Sequence, residues 1–215
     1  DLPAVAPVVM PDPASPPGGS YTTELGNRNA FAEAGAPLSA AERRVFAFGN
    51  RLFNTNWTTA PGSVKSFDGL GPVFNRVSCS GCHTRDGRGR PPLASETDFD
   101  SMLVRVSVPG KDANGGPKPH PAYGDQINDH AILGVPAEAK VNVIWANVTG
   151  TYADGSSYEL LKPTFTLTEP AYGPFGDDLM MSPRVANQVY GLGLLEAVYA
   201  NDILARADPD DADGD

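Results

Sequence analysis

Cys79-Ser80-Gly81-Cys82-His83 is the one stretch whose residue types and spacing point to a defined chemistry. Its cysteines are the only two in the chain, and its histidine is one of three. Cys-x-x-Cys-His is the attachment signature of c-type haem. One helical turn between the sulfurs lets both reach the vinyl groups of the porphyrin and form thioethers. The histidine next in line falls under the macrocycle, where its imidazole can bind the iron as proximal ligand. Two other uses of these residues fit less well. A zinc site needs four ligands, and no second cysteine or histidine pair completes one. A thioredoxin-like dithiol sits between a strand and a helix, whereas Arg85-Asp86-Gly87-Arg88-Gly89-Arg90-Pro91-Pro92 reads as loop. The expected cofactor is one covalently bound haem c, with its iron on His83.

The rest of the chain must hold that turn. At 215 residues it fits one domain, or one and a half, and can bury a real core. Its 21 prolines and 23 glycines point to long irregular connections. A formal charge of -10 argues against nucleic acid and anionic membrane surfaces as partners. No apolar run approaches the length of a membrane span. Asp1-Leu2-Pro3 shows neither the basic nor the apolar region of a secretory signal, so Asp1 reads as the start of a processed chain.

Residues 1–27 form a proline-rich extended arm in which Val5, Val8, Val9 and Met10 are available to grip a surface. That surface is either the arm's own domain or a neighbouring copy, so self-association through the arm is one expectation. Ser39-Ala40-Ala41-Glu42 is a capping box, and Val45, Phe46, Gly49, Leu52 and Phe53 then repeat at helical spacing. Met102, Val104, Val106 and Val108 alternate as on a half-buried strand. Residues 140–152 and 158–167 make a second β region, joined through the turn signal Asp154-Gly155. Trp145 within it reads as a packing residue. Ser182 as N-cap with Pro183 after it predicts a closing helix to about Glu196, and a shorter helix follows over 201–207. The acidic tail, residues 208–215, opens like a D-x-D-x-D calcium loop at Asp211 but lacks its glycine and bidentate glutamate, so it reads as a solvated terminus.

Several segments resemble one family. GNRLFNTNW, DGLGPVFNRVSCSGCHTRDGRGRPP, HPAYGDQINDHAILGVPAE, MMSPRVANQVYGLGLLEAVYANDIL and the final ADPDDADGD are similar to the di-haem oxidoreductases, peroxidase-like proteins also described as thiol-oxidoreductase-like. The resemblance covers roughly residues 28–215. Members of that family continue into a second haem domain with its own Cys-x-x-Cys-His, and no second motif occurs here. Peroxidase-like chemistry would need that second haem, so the resemblance does not carry it over.

The resemblance to c-type cytochromes implies a fold that is mainly α with a β insertion. The expected arrangement is a cytochrome c-like helical haem domain over 28–207, interrupted by a small antiparallel hairpin or sheet at about 100–168. In cytochromes c the first and last helices cross closely, a role Gly191 and Gly193 would permit. The same resemblance implies haem attachment outside the cytoplasm, hence a periplasmic or extracellular protein.

The axial pair sets a haem's job, moving its potential across a range of about 0.8 V. Met10, Met102, Met180, Met181, His120 and His130 are the candidates opposite His83. Class-I cytochromes c take a methionine from the loop before the closing helix, and the family resemblance places one at Met180, which is therefore preferred as second metal ligand. Arg85, Arg88 and Arg90 follow the motif, and guanidinium groups pair well with carboxylates such as haem propionates. Cytochrome resemblance also points to the Pro91 or Pro92 carbonyl as acceptor for the Nδ1 hydrogen of His83. The functional expectation is an exported mono-haem cytochrome that passes single electrons to a redox partner protein. Its alternatives are the electron-feeding half of a di-haem oxidoreductase and a subunit of an extracellular haem-bearing assembly.

Overall fold

A computed structural model describes residues 15–16, 18–93, 96 and 99–209. Most of the arm, with Met10, and the calcium-like run from Asp211 lie outside the described residues. The chain divides into two compact units, residues 1–47 with 189–215, and residues 48–188.

Helix α1, Ala40–Asn54, begins as its capping box dictates. The Ser39 amide donates to Glu42 Oε2 at 2.7 Å, and the Glu42 amide donates back to Ser39 Oγ at 3.3 Å. In the smaller unit, the Arg43 guanidinium donates to the carbonyls of Gly35, Ala36 and Leu38, and Phe31 stacks on Tyr190 with ring centroids 4.4 Å apart. The helices α2, Leu192–Glu196, and α3, Ala200–Leu204, complete it. No residue of α1, α2 or α3 is buried.

The larger unit is built from strands. They are β1 (Val73–Phe74), β2 (Met102–Lys111), β3 (Pro117–Lys118), β4 (Gln126–Ile127), β5 (His130–Ala131), β6 (Lys140–Thr151), β7 (Ser157–Thr168) and β8 (Met180–Val185). β2 is central: it pairs antiparallel with β3, β4 and β8, while β1 pairs with β5 and β6 with β7. Its alternation has the period expected of a strand with one dry face, and Met102, Val104, Val106 and Val108 are buried. Val104 and Val106 pack with Tyr123, Ile127 and Ala139 as the core, against which Val141, Leu167, Phe175 and Leu179 lie. The β6–β7 ribbon closes over Tyr152–Ser156, with Gly155 at φ 86°.

The fold is therefore not the mainly helical cytochrome c arrangement that the sequence suggested. Strands outweigh helices, and the core sits on β2. Ser182 and Pro183 do not open a helix: they lie in β8, where Ser182 pairs with Arg105 and Pro183 with Val104. β8 has β2 as its one partner, and an edge strand tolerates the missing proline N–H on its open side. Helix begins only at Leu192, after Gly191 turns the chain at φ 75°.

Candidate haem-attachment site

The turn Cys79–Gly81 is a 3₁₀ helix capped by Ser78, whose Oγ accepts from the Gly81 amide at 3.2 Å. Cys82 and His83 both donate their amides to the Cys79 carbonyl, at 3.2 and 3.1 Å. Side chains three residues apart eclipse in such a turn, so Cys79 and Cys82 emerge on one side, as double thioether attachment requires. Both are free thiols, Cys79 exposed and Cys82 half-buried. Burial pushes the Cys82 thiol up; Arg76 opposes the rise, while Asp129, Asp100 and Cys79 add to it.

His83 is fixed from an unexpected direction. Its Nδ1 lies 2.6 Å from the carbonyl oxygen of Asn187, an acceptor that obliges Nδ1 to carry the hydrogen. The Nε2 lone pair is then left for a metal, the arrangement found for ligand histidines. The acceptor is not the Pro91 or Pro92 carbonyl but one 104 residues away in the chain, just beyond β8. Phe53, at the end of α1, places its ring 6.3 Å from the imidazole. Two thiols on one face, an imidazole with Nε2 open and an adjoining aromatic ring fit a c-type haem.

The loop after His83 brings these pieces together. Arg85 and Asp86 both adopt left-handed backbone, at φ 55° and 60°, reversing the chain just after His83. Such residues cost on the order of 1 kcal/mol each and persist only where the surroundings enforce them. Here the amides of Asp86 and Gly87 bond to the carbonyls of His83 and Thr84, each at 3.1 Å. Burial pushes the Asp86 carboxyl up, and His83 pulls it the other way. The reversed loop then slots Gly89 onto the β sheet. The Gly89 amide donates to the Ala186 carbonyl at 2.8 Å, and any Cβ there would stand 2.4 Å from Ser101 Cβ. The residue next to this anchor, Asn187, is the one that holds His83.

The other sequence candidates are dispersed. Arg90 is committed to Glu96 by two hydrogen bonds of 2.6 and 2.8 Å, which with the Leu93 amide hold the Glu96 carboxyl at about 2. Arg85 and Arg88 are exposed and make no ion pair among the described residues. Met180 and Met181 lie in β8 opposite Ser107 and Val106, and Met102 is core. His120 is buried rather than in a solvated loop. Its Nδ1 accepts from the Ala122 and Tyr123 amides and its Nε2 donates to the Phe175 carbonyl at 2.9 Å, so no ring nitrogen is left for iron.

One group near the motif was not singled out by its sequence. Arg76 is 11% exposed and lies against the haem turn, where a Cβ on Gly81 would stand 3.0 Å from Arg76 Cβ. Its Nη1 meets Asp129 Oδ1 at 3.3 Å, and Asp129 is itself 14% exposed. Asn75 donates to the Ile127 carbonyl and to Asp129, and accepts from Gln126. An arginine three residues ahead of a cysteine carries no signal by itself; its partner lies 53 residues on, and only the β1–β5 pairing unites them.

Among the described residues no group of three or more histidine, cysteine or acidic side chains converges as a bare metal ion would need, and no helix is long and apolar enough to cross a membrane. No curated protein and no solved structure was found to match. The family model described as "Di-haem oxidoreductase, putative peroxidase" matches residues 14–215, and the chain, with its one Cys-x-x-Cys-His turn set on a β scaffold, belongs to that family.

Proposed function

We propose that Cys79 and Cys82 attach one haem c covalently, that His83 binds its iron, and that the protein passes single electrons. The observation that carries this reading is the 2.6 Å contact from His83 Nδ1 to the Asn187 carbonyl, which fixes the imidazole with Nε2 outward beside two cysteines on one face. A bound haem would supply one-electron chemistry at its iron. The chain's own part is to orient the ligand through Asn187, to hold the loop behind it through Gly89, and to shield one side with Phe53. A carbonyl on Nδ1 also makes the imidazole more basic and favours the oxidised iron. Arg85 and Arg88 remain the arginines available to a propionate. Export to the periplasm or beyond, and a redox protein as partner, follow from this reading.

The family description names two haems, which supports a second reading: within a longer chain, this domain would feed electrons to a separate peroxide-reducing haem. The two readings differ in what peroxide does. As an electron carrier the chain cycles reversibly between oxidised and reduced spectra with a one-electron mediator, and peroxide adds no sustained consumption of reductant. Sustained turnover by this chain alone would contradict the carrier reading.

A further inference from the structure

The Arg76–Asp129 pair has a third member that the haem reading does not use. His130, in β5, stacks on Phe74 of β1 with ring centroids 5.9 Å apart and planes 24° apart. Its side chain is 52% exposed, so protons reach the ring from solvent. Its Nδ1 stands between two groups that ask opposite things of it: Asp129 Oδ1 at 3.0 Å, which can only accept, and Arg76 Nη1 at 3.3 Å, which can only donate. A neutral ring protonated on Nε2 accepts from Arg76. A ring protonated on Nδ1 donates to Asp129. Asp100 also faces Arg76, its Oδ1 3.6 Å from Nε.

Resting on the haem-attachment reading above, we infer that His130 is a proton-accepting site coupled to the oxidation state of that haem. Arg76 joins the two, since its stem packs on Gly81 between the two cysteines while its head contacts Asp129 and His130. Reduction by a one-electron donor removes one positive charge from the haem. His130 then takes one proton from solvent, an N–H bond forms at Nδ1, and that hydrogen turns to Asp129 while Arg76 keeps its bond to the same carboxylate. One electron and one proton enter together, and the local charge is conserved. The effect acts through a half-buried network, so solvent screens it less than it would a surface pair.

The test uses the haem-loaded chain and its His130→Gln variant, a half-exposed position whose change leaves Arg76 and Asp129 paired. Covalent haem is confirmed first from the alkaline pyridine spectrum. The midpoint potential is then followed from about pH 5 to 8. The wild-type potential should fall as pH rises, and His130→Gln should lose that dependence. Independently, the ring-carbon signal of His130 in the wild type should move toward the imidazolium position on reduction at constant pH. An equal slope in both proteins, or a ring signal indifferent to reduction, overturns the coupling and leaves haem attachment intact. A chain that takes up no haem under functioning maturation overturns both.

Discussion

At the residue scale, the candidate site turns on which polar atoms are already occupied. His83 has Nδ1 satisfied by Asn187 and Nε2 open, whereas His120 has both ring nitrogens bonded within the fold. His120→Ala should therefore leave axial ligation untouched while destabilising the protein. Two backbone amides and the Phe175 carbonyl would lose their partner, at about 1–3 kcal/mol for each group left unsatisfied. Met180→Ala tests the expected second ligand: Met180 lies opposite Ser107 in β8, and the sulfur-to-iron band of the oxidised protein should be lost in the variant. A band that never appears, or that survives in Met180→Ala, would contradict ligation by Met180. The Cys79–His83 turn was legible in the sequence because its residue types are local: two thiols and an imidazole within five residues. The Asn187 carbonyl was illegible for the opposite reason. A backbone oxygen has no residue type to advertise it, and only the tertiary path of β8 delivers it.

At the element scale, the loop behind the haem turn is set by one glycine and one ion pair. Gly89→Ala would drive a Cβ into Ser101 and toward the Ser101 carbonyl, 2.8 Å away, which are backbone-anchored and cannot swing aside. Overpacking of this kind costs about 1–3 kcal/mol. The expected outcome is a lower unfolding midpoint together with a perturbed haem spectrum, since Asn187 follows the displaced Ala186. The Arg90–Glu96 pair ties down the loop's far end. The Glu96 carboxyl is held at about 2 against an ordinary value near 4.5, so its contribution is fully present above about pH 4.5 and is lost as pH falls toward 2. Glu96→Gln should lower the thermal midpoint slightly at pH 6 and match wild type near pH 2. A difference constant across that range would contradict the pairing. The alternating run of β2 and the turn at Asp154-Gly155 were readable, because period two and a glycine at positive φ are short-range signals. Ser182-Pro183 misled because serine and proline suit an edge strand as well as a helix start. Pairing with β2 decided between them.

At the scale of the molecule, the buried apolar side chains among the described residues all lie within residues 48–188. The strands of residues 48–188 enclose Ile127, which is fully buried, while every helix leaves apolar side chains exposed, Val45 at 72% and Phe48 at 62% among them. Cytochrome resemblance led toward helices as the core, yet hydrophobic burial follows β2, the one long strand with three hydrogen-bonded neighbours. The Cys79–His83 turn is thus met from a distant part of the sequence, through the Asn187 carbonyl just beyond β8. The central claim is covalent attachment at this turn with His83 as iron ligand, and denaturing mass spectrometry of the chain made with functioning haem maturation tests it most directly. The account predicts a single haem adduct that resists acid–organic extraction, is lost in a Cys79→Ala, Cys82→Ala double variant, and survives with an altered spectrum in His83→Ala. An unmodified polypeptide mass, or a haem that extracts freely, would contradict it.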